Sequence, residues 1–169
     1  RMGYTHVHLL PIADYGRLDE TCPEASYNWG YDPENYNLPE GSYSSDPYDP
    51  RTRILELKEL VMSLHKSGIG VIMDVVYNHT FKLDGSALSK AFPGYYYRYK
   101  DGKPSNGSGC GNEIASERAM VRKYIVDSLC FWAREYKIDG FRFDLMAVLD
   151  IDTMNEVSRR LREINPGVL

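Results

Sequence analysis

Residues 138–146, Ile-Asp-Gly-Phe-Arg-Phe-Asp-Leu-Met, set two opposite charges inside a stretch that reads as a buried β-strand. Phe141, Phe143 and Leu145 alternate with Arg142 and Asp144, so the two-residue side-chain period puts the charges on one face and the apolar groups on the other. A parallel strand covered on both faces is apolar throughout. A charge taken out of water costs several kcal/mol unless it is paired, so an Arg and an Asp sharing one strand face mark a candidate active site.

The segments on either side have matching patterns. Residues 69–77 read as a strand whose apolar run Val71-Ile72-Met73 is broken by Asp74 and leads into Asn78-His79. Residues 4–12 read as an earlier strand, stopped by Pro11. Between them Ile54, Leu57, Leu60, Val61 and Leu64 recur at helical spacing over 52–66, behind Asp49-Pro50 and ahead of Gly68. A second helix is predicted from a Ser116 cap to Lys137, with Val121, Ile125, Leu129 and Trp132 inward, and a third over 153–164, closed by Asn165-Pro166-Gly167. Val168-Leu169 reads as the start of another strand.

Strands alternating with helices predict a parallel sheet. Two long segments follow strand carboxyl ends: one carries Cys22-Pro23, Pro33, Pro39 and Pro47, and the other, over about 80–115, carries Tyr95, Tyr96, Tyr97 and Tyr99. In a (β/α) barrel that end is the catalytic face, and a complete barrel takes about 250 residues and eight strands. Three strands in 169 residues therefore predict α/β architecture in the form of a partial (β/α)8 TIM barrel. Residues 1–169 would be one segment of a single catalytic domain, truncated at both ends.

Composition narrows the partners. With 43% hydrophobic and 26% charged residues the chain is globular in type. No apolar run reaches the roughly 18 residues of a membrane span, and no leader pattern opens the sequence. The start, Arg1-Met2-Gly3-Tyr4, reads like a cut through a longer protein, so the compartment stays open. A net charge of -4 without a basic stripe argues against nucleic acid. The three cysteines, Cys22, Cys110 and Cys130, lack the spacing of a zinc or redox motif, and an odd count argues against a full disulfide framework. The 14 tyrosines fall largely in polar loops, where amphipathic rings suit ligands with an apolar face and hydroxyls, such as sugars.

Four groups of residues carry candidate chemistry. In Asp74-Val75-Val76-Tyr77-Asn78-His79, Asp74 and Asn78 share parity and His79 falls where the strand turns into a loop. If the strands of Asp74 and Arg142 are neighbours, Arg142 can bridge Asp74 and Asp144 and keep Asp144 ionised. An ionised carboxylate there can attack an anomeric carbon. In Tyr27-Asn28-Trp29-Gly30-Tyr31-Asp32-Pro33, two aromatic residues flank a glycine like a stacking platform beside polar hooks. His6 and His8 form a His-x-His of the kind metal-dependent hydrolases use, but Leu9-Leu10 continue the strand beyond them, which favours a packed pair over metal ligands.

Asp74–His79 and Gly140-Phe141-Arg142-Phe143-Asp144 resemble the first and second signature regions of the alpha-amylase superfamily of glycoside hydrolases, and Thr5-His6-Val7-His8-Leu9-Leu10-Pro11 resembles its second barrel strand. The 27–33 motif, the loop Gly109-Cys110-Gly111-Asn112 and Ala115-Ser116-Glu117-Arg118 resemble the type I pullulanase subgroup of α-1,6 debranching enzymes. The resemblance implies barrel strands two to four. It makes Asp144 the nucleophile, Arg142 its orienting partner, His79 a sugar ligand and Asp74 the support of Arg142. Tyr31 would stack on the same sugar, Leu145 would border the neighbouring subsite, and Asn78 and Trp29 would scaffold the site. The implied partner is an α-glucan, with neither nucleic acid nor membrane. No metal is assigned and no cofactor is required by the segment, a structural calcium in the parent being left open.

In that superfamily the general-acid Glu follows a later strand, and retaining hydrolysis needs two carboxyl groups about 5–5.5 Å apart. The segment alone is therefore expected to be inactive and to expose unpaired sheet edges. Two other functions stay open at this stage: a catalytically inactive amylase-like scaffold or carbohydrate-binding subunit, and a metal-dependent hydrolase using His6 and His8.

Overall fold

Helical periodicity and capping lay down the longest elements of the computed structural model, which describes residues 3–169. The helix α1 (Pro50–Lys66) starts where Asp49 accepts from the Arg51 N–H and Pro50 takes the first turn. The longest apolar run of the chain becomes α3 (Ala119–Glu135), which buries Val121, Ile125, Leu129 and Trp132. The helix α4 (Ile151–Ile164) is capped by Asp150, whose side chain accepts from the Thr153 N–H. A short fourth helix, α2 (Ala87–Ala91), lies in the second long segment.

Strands β1 (His6–Leu9), β4 (Gly70–Val75) and β7 (Gly140–Phe143) form one parallel sheet in the order β1-β4-β7. His8 pairs with Ile72, and Asp74 pairs with Arg142. Right-handed crossovers through α1 and α3 place both helices on the same face of the sheet. Val71, Met73, Val75 and Phe141 point to that face and join Val61, Ile125, Leu129 and Trp132 in the core. His8, Asp74 and Arg142, on the alternate parity, line the other face. Beyond β7, Leu169 donates its N–H to the Asp139 carbonyl and accepts the Phe141 N–H, the pattern of a parallel neighbour, as Val168-Leu169 suggested.

The partial (β/α)8 TIM barrel is overturned. The described residues form a small α/β domain with an open three-stranded parallel sheet and four α-helices. Its remaining strands form separate antiparallel ribbons and do not extend the sheet. One pairs β2 (Ala13–Tyr15) with β3 (Pro33–Pro39), and the other pairs β5 (Tyr99–Lys100) with β6 (Lys103–Pro104). The expected strands over 4–12, 69–77 and 138–146 are shorter than predicted, at both ends of each. Leu145 sits at φ 44°, ψ 43°, left-handed, so β-parity no longer holds there and its side chain is 43% exposed. Ser116 is not the cap of α3; Arg118 holds that position, and the Ser116 hydroxyl accepts the Asp150 N–H at 2.9 Å instead.

Candidate active site at the strand ends

Register brings the predicted charges together. The Arg142 Nη1 lies 3.0 Å from each oxygen of Asp74 and 3.1 Å from Oδ1 of Asp144. The bridge expected between two carboxylates is therefore formed. Asp74 is 1% exposed, which a carboxylate tolerates only when it is paired and hydrogen-bonded. A second donor to Asp74 is the Tyr31 hydroxyl, 2.8 Å from Oδ2. Burial first, then the adjacent Asp74 carboxylate, pushes the Tyr31 hydroxyl up to about 12, so it keeps its proton at neutral pH. Hydrogen bonding to Asp74, ahead of any other influence, raises the Arg142 guanidinium above its already high ordinary value. The Asp144 N–H donates to the Val75 carbonyl at 2.9 Å, which fixes its main chain to β4.

His79 is buried, and burial lowers its imidazole below the ordinary value; the Tyr31 backbone, Asp32 and Asp144 oppose that shift. Its buried Nδ1 has no hydrogen-bond partner among the described residues. The Asn78 side chain makes no hydrogen bond to this group or to any other of the described residues. The residue is 0% exposed, and its main-chain carbonyl accepts the Ile114 N–H at 2.9 Å. The strand ends at Val75, so the shared parity of Asp74 and Asn78 does not carry through.

The aromatic loop is held by its own polar residues. Asn28 Nδ2 donates to the Gly16 carbonyl at 2.9 Å and to Asp32 at 3.0 Å, while Asn28 Oδ1 accepts the Gly30 N–H at 3.0 Å. Gly30 adopts φ 90°, and a Cβ there would stand 2.9 Å from the Pro11 carbonyl oxygen. These ties aim Tyr31 inward at Asp74. Trp29 stays 60% exposed in an edge-to-face pair with Tyr27 at 6.1 Å. Phe81 continues the rim, with Arg17 and Lys82 over its ring at 5.2 and 4.7 Å.

Two features were not read from the sequence. His8 Nε2 lies 3.4 Å from Asp74 Oδ2, whereas His6 Nδ1 faces Thr5 Oγ1 at 2.9 Å, so the two rings have different partners. Asp14, Glu20 and Glu40, at the β2–β3 ribbon, have carboxylate oxygens within 4.8 Å of one another. Glu20 takes the Arg53 guanidinium at 2.9 and 2.5 Å. Glu40 accepts the Tyr15 and Ser42 N–H groups at 3.0 and 2.8 Å, and Asp14 accepts Asn35 Nδ2 at 2.6 Å. As arranged, the cluster is satisfied by N–H donors and one guanidinium.

An open parallel sheet that holds a carboxylate, a guanidinium and a second carboxylate at its strand ends, rimmed by aromatic rings, defines an α/β unit with a polar strand-end site. No family model matches the chain. Curated and solved relatives do. The pullulanase of Bacillus subtilis (strain 168) is 50% identical over 169 residues, which cover 99% of this chain and 24% of that protein. The solved pullulanase of Paenibacillus barengoltzii, in complex with maltohexaose and alpha-cyclodextrin, superposes with a TM-score of 0.96 at 58% identity, over 99% of this chain and 26% of that one. The pullulanase of Anoxybacillus sp. LM18-11 complexed with maltotetraose gives 0.97 at 54% identity, over 99% of this chain and 25% of that one. The chain thus spans about a quarter of the length of the relatives it matches, and it is homologous to one segment of pullulanases.

Proposed function

We propose that the protein carrying this segment is a retaining glycoside hydrolase that cleaves α-1,6-glucosidic branch linkages in pullulan, starch or glycogen-type glucans. The observation that carries the reading is the single Arg142 nitrogen shared between buried Asp74 and more accessible Asp144. Homology to pullulanases supports the linkage.

Asp144 is the nucleophile. Its carboxylate oxygen bonds the anomeric carbon as the glycosidic C–O bond breaks, and a general acid supplied from outside this segment protonates the leaving oxygen. Water then displaces Asp144 and returns the proton to that acid. Arg142 orients Asp144 beside a fixed positive charge. Asp74 anchors the guanidinium and stays out of the chemistry, since its oxygens are taken by Arg142 and Tyr31. His79, kept neutral by burial, donates to a sugar hydroxyl without adding a second cation. Tyr31 presents its ring to the same sugar, Leu145 borders the next subsite, and Trp29 and Asn78 hold the surroundings.

The test compares release of reducing ends from pullulan and from amylose by the full-length protein and by its Asp144→Asn variant. Pullulan cleavage that falls by about 10³-fold or more in the variant supports the proposal. Cleavage of amylose alone overturns the linkage, and an inert parent overturns the enzyme. The 169-residue segment by itself is expected to release nothing, because it lacks the acid.

A further inference from the structure

We propose that His8 is a positioning residue for Asp144, acting through Asp74 and Arg142; the proposal rests on the catalytic reading above. His8 stands on β1, two strands away from Arg142, yet its Nε2 lies 3.4 Å from Asp74 Oδ2. At that distance the contact is electrostatic and not a hydrogen bond, and the tautomer with its hydrogen on Nε2 turns the positive edge of the ring toward the carboxylate.

The consequence follows from the small number of hydrogens available. The Arg142 Nη1 has two, and three oxygens compete for them: both of Asp74 at 3.0 Å and one of Asp144 at 3.1 Å. Asp74 is almost fully buried and must find donors inside the protein. The Tyr31 hydrogen bond at 2.8 Å and the positive edge of the His8 ring at 3.4 Å both stabilise the charge on Oδ2, which lessens its demand on Arg142 and leaves more of the guanidinium to Asp144. Without His8, Asp74 draws Nη1 toward itself and away from the nucleophile, whose bond to it is the longest of the three. The His-x-His motif is then explained by strand parity with two separate duties. His6 lies over Gly70, where a Cβ would meet its ring at 2.4 Å, and His8 reaches Asp74.

The experiment uses the full-length protein with His8→Ala, His8→Met and His8→Gln. Methionine is close to histidine in bulk and has no donor, while glutamine can present an amide N–H to Asp74. The expected result is a fall in kcat on pullulan of roughly 5–20-fold in the Ala and Met variants, with KM within about twofold and most of the loss recovered in His8→Gln. A crystal structure of His8→Met should show Arg142 Nη1 more than about 3.5 Å from Asp144. An Arg142–Asp144 contact unchanged in that variant overturns the proposal, as does a rise in KM at constant kcat or equal losses in Met and Gln. If the unsubstituted protein is inert on pullulan while Arg142 still moves in His8→Met, the catalytic reading fails and the coupling stands.

Discussion

Asp74 takes hydrogen bonds from two places in the chain, the β7 strand and the 27–33 loop, and has the His8 ring of the edge strand β1 beside it at 3.4 Å. Tyr31→Phe isolates one of these, because the phenyl ring keeps the stacking surface while the 2.8 Å bond is lost. A hydrogen bond to a buried charge is worth about 1.5–3 kcal/mol, so kcat on pullulan should fall on the order of tenfold or more with KM nearly constant, as steady-state kinetics would read. Asp14 behaves differently. Burial, followed by Glu40, Glu20 and Glu34 and opposed by the Asn35 hydrogen bond, pushes its carboxyl from 3.8 up to about 6. The folded state therefore holds this proton more tightly than the unfolded state, and the contribution to stability falls as pH rises from about 4 to about 6, by at most about 3 kcal/mol. Hydrogen exchange over residues 13–44 of the full-length protein should show less protection at pH 7 than at pH 5 after correction for intrinsic rates. Asp14→Asn should flatten that difference; equal protection at both pH values would sink the idea. The Arg142–Asp74–Asp144 group was legible in the sequence because consecutive strands of a parallel sheet become neighbours and parity does the rest. The Tyr31–Asp74 bond, which crosses 43 residues, and the Asp14–Glu20–Glu40 cluster depend on a ribbon that the pattern did not reveal.

That ribbon shows why some elements hide. The β3 sequence, Pro-Glu-Asn-Tyr-Asn-Leu-Pro, has proline at both ends and no run of alternating apolar residues, so it reads as loop. It forms because β2 offers it a bulged partner and because Tyr36 plugs the core, its hydroxyl donating to the His79 carbonyl at 2.5 Å. The helices α1 and α3 were readable from their periodicity, although only α3 buries a continuous stripe; α1 buries Val61, half-buries Ile54, Leu57 and Leu64, and leaves Leu60 exposed. The Ser116 reading failed for a different reason: a serine ahead of a helix resembles a cap, and only tertiary contact shows that it serves α4 instead. Two substitutions test these elements. Gly30→Ala puts a Cβ into the Pro11 backbone at a left-handed φ; by loosening the loop that aims Tyr31 at Asp74 it should lower kcat on pullulan in the same direction as Tyr31→Phe and also raise KM several-fold. Asp150→Ala removes the α4 cap and the 2.9 Å bond from Arg122. It should cost about 1–2 kcal/mol, seen as faster exchange in the first turn of α4.

At the scale of the whole domain, the sheet is covered by helices on one face, while β1 has no strand on its outer side among the described residues. Beside that edge Leu9, Leu10, Ile12, Leu57 and Leu60 line a groove of about 440 Å³. An apolar groove beside an unpaired strand associates readily in water. The isolated segment should therefore elute as oligomers in size-exclusion chromatography with light scattering, and a monomer with sharp cooperative unfolding would contradict this. The partial barrel was inferred from the order of elements, the loops at strand carboxyl ends and the resemblance, and none of these fixes how the sheet continues beyond its three strands. The pairing of Asp74 with Arg142 and the bond from the Asp144 N–H to the Val75 carbonyl have one more consequence. The spacing of the two acids is dictated by the main chain, like marks on a ruler ruled in peptide units. Substitutions on the outer faces of α1 and α3 should consequently leave the spacing of Asp74, Arg142 and Asp144 unchanged.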